Sequence, residues 1–307
     1  QFQKRAHLVP KTAQFFLMDG LVYAAYLFIV AVGLSLIFGV MKILNVAHGG
    51  CYAFGAYAAA TAIGLYAQTD LPIAGMFLAL VVAALAVGAL IGLVLERGVL
   101  RLFYDRDEVI IVLVTYAAFL ILEDLLIVIW GTGSLLAYQP MLAAGNMFIG
   151  NMIISNYDLI LIGAAVLIAL LMWLVLTQSR VGRLLVAVIH DREMAAAMGI
   201  NVATMFVVTF AVGAALGALG GALMAPKISV SLGIGVEVIV LAFAVVAVGG
   251  LGSIQGAIVG ALMLGFARAF AVHLLPEVEL FVIYGVMALV LAFRPHGLFV
   301  RPEARKI

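Results

Sequence analysis

Long uncharged stretches recur along this chain, each about as long as a helix that crosses a bilayer. Such a helix needs about 20 apolar residues. Runs near 16–38, 48–67, 73–95, 109–130, 158–177, 204–224, 237–250, 254–273 and 280–293 meet or approach that length. The seventh and ninth are short. The seventh ends in GGLGS (249–253), which suggests half of a broken helix. Backbone that leaves the helix at membrane depth is tolerated only against protein or a wet cavity. Composition supports a lipid solvent: 67% of the 307 residues are hydrophobic and 10% charged, against about half and a quarter in soluble domains. The expected fold is all-α and polytopic, one transmembrane domain over 1–307 with about eight or nine spans.

Orientation follows from arginine and lysine in short loops, which favour the cytoplasmic side. Arg97, Arg101 and Arg106 follow the third run, Arg180, Arg183 and Arg192 the fifth, and Arg294, Arg301, Arg305 and Lys306 the last. All three places read as cytoplasmic. Residues 125–157 carry no charge, and 131–157 read as an outer loop. Lys4, Arg5 and Lys11 precede the first run, which is longer than a signal-peptide core of about 7–15 residues, so it reads as a retained span. Nine full crossings would place these three cations outside, against the rule. Either one segment is re-entrant or the first span is an exception.

Small residues recur at four-residue spacing: Gly213, Gly217 and Gly221; Gly252, Gly256 and Gly260; Cys51, Gly55 and Ala59. Each triplet is expected on one helix face, where it allows close backbone approach. This predicts a tight bundle and no activity. Ionisable groups at membrane depth are costly and usually functional. Glu123, Asp124, Glu237 and Arg268 fall in outer halves of spans, and Arg268 is expected to offset one of the acids. At the junction of the first two runs, Asn45 is an expected N-cap, and Asn45 and His48 join Glu123, Asp124, Glu237 and Arg268 as the substrate-path or gating candidates. Five scattered histidines and one cysteine, Cys51, form no metal-ligand pattern, and no nucleophile elbow is present. A net charge of +1 gives no footprint for nucleic acid.

The most distinctive polar stretch is HDREMAAAMGIN, residues 190–201. Asp191 and Glu193 suit a helix N-terminus, Ala195–Ala197 favour helix, and Gly199 suits a left-handed stop. A two-turn cytoplasmic helix with a small-residue surface is expected. It could lie on the membrane surface or insert into a partner's groove.

The stretch resembles the coupling motif of ABC-importer permeases: an acid, alanines, then glycine. More closely, the chain resembles the LivH/LivM-type permeases of branched-chain amino-acid importers. The likeness is carried by GLSLIFGVMKILNVAHGG (33–50), GAY (55–57), VLERGVLR (94–101), VGGLGSIQGAIVGALMLG (248–265) and FRPHGLF (293–299), in the family's order. His296 stands where the family usually has glutamine. The resemblance implies a type II importer permease with a coupling helix at about 190–200, whose contacts would be Asp191, Arg192, Glu193, Ala195, Ala196 and Gly199. It also implies a second permease chain, different or identical, two ATPase subunits carrying ATP and magnesium, and an external binding protein in a bacterial inner membrane. No cofactor is expected in this chain, which contains no Gly-Lys pair and hence no Walker A phosphate loop. The implied solute is small, a hydrophobic or branched-chain amino acid foremost, with amides such as urea or small aromatic acids as alternatives. Two other classes stay open: an ion-coupled secondary transporter, which also uses broken helices, and a membrane enzyme, for which no acid, base or nucleophile set is assembled.

Overall fold

A computed structural model describes the backbone of residues 2–149 and 152–299, with the side chains in that range except 2–15, 149, 152 and 280. The side chains of Lys4, Arg5 and Lys11, and all of Arg301, Arg305 and Lys306, therefore lie outside the description. In chain order come α1 (Phe2–Met41), α2 (His48–Tyr66), α3 (Ala74–Gly98), α4 (Glu108–Trp130) and the short α5 (Gln139–Ala144). A two-stranded antiparallel hairpin follows, β1 (Asn146–Ile149) with β2 (Met152–Ser155), Asn146 opposite Ser155. Then come α6 (Asn156–Gln178), α7 (Arg180–His190), α8 (Arg192–Ala197), α9 (Val202–Met224), α10 (Ile234–Gly249), α11 (Ile254–Leu274) and α12 (Glu279–Phe293). Among the described residues, six helices are long and apolar enough to cross a membrane: α1, α3, α4, α6, α9 and α11. The chain is a multi-pass helical membrane protein.

Helix directions can be read from which residues meet. Gly33 of α1 lies on Gly213 of α9 and Val30 beside Gly220, so these helices run antiparallel. Gly88 and Gly92 of α3 meet Ala215 and Ala211 of α9, so α3 also runs antiparallel to α9 and therefore parallel to α1. Helix α2 climbs alongside α4: Val46 meets Thr115, Gly50 meets Leu122, and the Trp130 indole N–H donates to Thr61 Oγ1 at 2.8 Å. With the arginine loop after α3 on the inside, α1 descends from the outer face, and its Met41 end lies inside. The first span is thus the exception to the charge rule. Lys42, just past it, has φ +59°, the only positive φ outside glycine among the described residues.

Helix α9 is the hub, because small residues let three other helices reach its backbone. A Cβ added at Gly221 would overlap the Tyr52 carbonyl of α2, and one at Gly55 the Ala218 carbonyl of α9. One at Gly213 would strike the Ile37 side chain, and one at Gly217 the His48 ring. On the other side of the bundle, Gly256 and Gly260 of α11 face Gly249 and Val245 of α10. Gly252 departs from the expected triplet. It lies in the turn between α10 and α11 with φ +80°, facing Gly39 of α1 rather than continuing the α11 stripe. The turn exists because Gly250 (φ +105°) and Gly252 take conformations closed to residues with a Cβ. The chain after α12 returns to this inner turn: Leu298 and Phe299 donate N–H bonds to Val248 and Gly249 at 3.0 and 2.9 Å.

In lipid, apolar surface gains nothing by leaving one apolar medium for another, so such contacts carry the association. Gly55→Val should therefore lower thermal stability in detergent by about 1–3 kcal/mol or prevent accumulation. Gly163→Val, on α6 with nothing within 4 Å of its Cβ position, should do neither. Size-exclusion profiles taken after graded heating would separate the two outcomes.

Candidate functional site

Three side-chain caps build the inner face between α6 and α9. Ser179 accepts from the Gly182 N–H at 2.9 Å and starts α7. Asp191 Oδ1 accepts from Met194 N–H at 2.9 Å and starts α8. Asn201 Oδ1 accepts from Thr204 N–H at 3.0 Å and starts α9. Each satisfies an amide that a helix start leaves unpaired. Gly199 has φ +84° and ends α8. Its N–H bonds the Ala196 carbonyl at 3.0 Å, and the Ile200 N–H bonds Ala195 at 3.1 Å, the paired closure of a left-handed helix stop. The expected short helix is present over 192–197, with its N-cap and stop where the sequence placed them.

Helix α8 shows the surroundings almost everything it has. Ala195 is buried against the chain, whereas Asp191, Arg192, Glu193, Ala196 and Gly199 are exposed. Met194 and Met198 stand out at 59% and 77% exposure. They give the knob two flexible apolar contacts that sequence reasoning passed over. It also missed α7, which presents Gly182, Leu185 and Val188 inward at three-residue spacing and Arg180, Arg183 and Leu184 outward.

The knob is tied to the bundle through a chain of four side chains. The Arg192 guanidinium lies over the Phe206 ring of α9, 4.8 Å from its centre. Phe206 meets Tyr104 edge-on at 5.3 Å. The Tyr104 hydroxyl donates to Glu96 Oε1 at 2.8 Å, and Glu96 is fully buried near the inner end of α3. Burial and that acidic acceptor hold the Tyr104 phenol far above its ordinary pKa, so it stays a donor at any physiological pH. Glu96 was visible in VLERGVLR, but its partner was not.

The polar groups at membrane depth are arranged differently from expectation. Arg268 pairs with Glu279 at the start of α12, not with Glu123 or Asp124, and lies over the Tyr23 ring at 4.1 Å. Glu123 instead accepts the Gly233 N–H at 3.2 Å, at the N-terminus of α10, where unpaired amides favour a carboxylate. Asp124 and Glu237 are exposed on the chain's surface. Asn45 is not the cap of α2. That position is Ala47, without a side-chain cap, and the Asn45 amide is buried with no partner. The irregular 42–47 segment is held by Thr115 of α4, whose hydroxyl accepts the Val46 N–H at 3.2 Å and donates to Val112 at 2.9 Å. His48 is fully buried in the notch left by Gly33 and Gly217, and its Nε2–H donates to the Val30 carbonyl at 2.9 Å. That geometry fastens α2 to α1 and α9. Among the described residues, no group of three His, Cys, Asp or Glu could hold a metal.

Comparison with known proteins agrees with the reading of the motifs. Residues 16–291 match the family model described as branched-chain amino acid transport system / permease component. The high-affinity branched-chain amino acid transport system permease protein BraD of Pseudomonas aeruginosa is 31% identical over 95% of this chain and 97% of its own length. The corresponding LivH protein of Escherichia coli K12 is 27% identical over 95% and 96%. A probable LivH permease of Methanocaldococcus jannaschii is 25% identical over 92% and 91%.

Two measurements check the geometry. A double-mutant cycle of Arg268→Ala with Glu279→Ala should give a coupling of at least about 0.5 kcal/mol, and the cycle of Arg268→Ala with Glu123→Ala should give none. Tyr104→Phe leaves the Glu96 carboxylate without its donor and should cost about 1–3 kcal/mol of thermal stability. The further substitution of Glu96 by methionine should recover part of that loss.

Proposed function

We propose, from the premise that this chain belongs to the branched-chain amino acid transport system permease family, that it is the membrane subunit through which an ATP-driven importer passes a branched-chain or other hydrophobic amino acid. The family works as part of a transport system, and the chain is a transport subunit. In this reading the whole chain acts as one permease domain in a bacterial inner membrane. It carries no ATPase site or cofactor of its own. Two ATPase subunits holding ATP and magnesium bind below it, a second permease subunit lies beside it, and an external binding protein delivers the solute.

The observation that carries the reading is the mounting of α8. A six-residue helix is fixed at both ends by its own caps, displays nearly all of its surface, and is linked to the bundle through Arg192 and Phe206. A rigid, exposed knob joined directly to the hub helix suits the transfer of a push. Swinging an inward–outward equilibrium from 1:99 to 99:1 takes about 5.5 kcal/mol of differential binding. An ATPase pair that closes on nucleotide can supply that at this contact.

Gly199 provides the test, because nothing lies within 4 Å of its Cβ position. Any side chain there projects into space that only a partner would fill. Alanine and tryptophan both meet the unfavourable left-handed backbone, at about 1–2 kcal/mol, but only tryptophan adds bulk. In proteoliposomes holding the full importer, Gly199→Ala should keep most ATP-dependent leucine uptake. Gly199→Trp should reduce uptake at least about ten-fold while the chain itself still folds. Equal uptake by the two variants would remove α8 from the docking contact.

A further inference from the structure

A cavity of about 190 Å³ opens among the outer ends of α1, α6, α9 and α11. Its polar wall carries both signs of charge: Asp19, Asp158, Lys227 and Arg268, with the Tyr23 and Tyr26 rings between them. Its apolar wall is aliphatic, with Val22, Leu161 and Met224. Every charge in it already has a partner. Lys227, on the segment after α9, pairs with Asp158 in the first turn of α6. Arg268 pairs with Glu279, and Asp19 lies 2.8 Å from His273 Nε2.

From this arrangement we propose that the cavity is a reception site for the charged main chain of a free amino acid, used before the solute enters the membrane path. Three properties lead there. The four charged side chains that line it, two of each sign, cancel, so a zwitterion can enter without adding net charge, while a ligand of net charge cannot. The two cations, Lys227 and Arg268, offer donors to a carboxylate, and Asp158 and Asp19 offer acceptors to an ammonium. The volume equals that of about six waters at ~30 Å³ each, room for a small amino acid whose side chain rests on Val22, Leu161 and Met224. The side chains of Lys227, Asp158 and Arg268 are only 25%, 23% and 33% exposed, so their charges act with less screening than on an open surface.

The arrangement also explains why these ion pairs stand at the mouth of an otherwise oily bundle. Surface pairs contribute little to stability, and the shared cavity gives them a task. In this account an arriving carboxylate shares Lys227 with Asp158, and the ammonium takes up the acceptor capacity thus freed. The exchange keeps the number of opposed charges constant, so neither entry nor release leaves a charge unpaired. The proposal rests on the amino-acid reading above and assigns it a place on the chain.

The test uses the full importer in nanodiscs and proteoliposomes, with tritiated L-leucine as probe. In nanodiscs without the binding protein, unlabelled L-leucine should displace the tritiated probe. 4-Methylpentanoate and 3-methylbutylamine, which each keep one of the two charges, should compete at least about ten-fold more weakly. Equal competition by either analogue, or no displaceable binding, overturns the site. In proteoliposomes, Lys227→Gln and Asp158→Asn should each lower leucine uptake at least about ten-fold. The reversal Lys227→Asp with Asp158→Lys restores the ion pair and should recover thermal stability without recovering uptake. Uptake that returns with the reversal would show a structural pair only and overturn the site, as would unchanged uptake in the single variants. Wild-type import of leucine alongside those results leaves the functional reading intact. A wild-type importer that moves urea or an aromatic acid but no amino acid overturns both.

Discussion

Backbone pressed on backbone holds this molecule together. A soluble bundle gains by removing leucines from water, but a bundle already in lipid has no such gain, and dispersion at close range must do the work. Helix α9 makes that possible by offering Gly213, Gly217 and Gly221 to α1 and α2, while α3 brings Gly88 and Gly92 onto its alanines. The inner turn 250–253 repeats the device, with Gly252 on Gly39, Gly249 on Gly256, and Gly250 on Gly297 and Phe299 of the returning segment. Side chains of any size there would hold the helices apart.

The same tight contact suits the docking role proposed for α8. Helix α8 joins α9 through four residues, 198–201, the last of which caps α9, and through the stack of Arg192 on Phe206. A displacement at α8 would therefore arrive at a helix that packs against α1, α2 and α3 alike. At the far end of α9 lie Met224 and Lys227, on the wall of the outer cavity. The proposed docking site and the proposed reception site are thus opposite ends of a single element. Movement of α9 as a rigid rod would alter both at once, which is what alternating access requires of a gate with an external motor.

Much of this was legible in the residues because membrane spans declare themselves by length. The nine runs became nine apolar helices among the described residues, with ends within a few positions of those expected except at the first, where α1 begins at Phe2 rather than near residue 16. The α8 knob was equally readable, since Asp191 and Gly199 carry local signals of start and stop. What stayed hidden was tertiary. Arg268 was matched with acids of similar depth in other spans, but Glu279 lies just across the turn that brings α12 back beside α11. Asn45 has the chemistry of a cap, yet Thr115 of a distant helix satisfies the backbone there, and no local pattern announces that. Glu96 and Tyr104 are eight residues apart across a helix end, and only the fold makes them partners. Helix α7 carried its signal openly, in the spacing of Gly182, Leu185 and Val188, beneath a count of arginines that drew attention to the loop.

The central claim is that this chain is a gate without a motor, moved through α8 by an ATPase. The most direct measurement is solute uptake into proteoliposomes holding the permease subunits and loaded binding protein, with and without the ATPase subunits and Mg-ATP, under an imposed proton or sodium gradient. The account predicts accumulation only when the ATPase subunits and nucleotide are both present, whatever the gradient. Accumulation by the permease subunits alone, driven by the gradient, would contradict it.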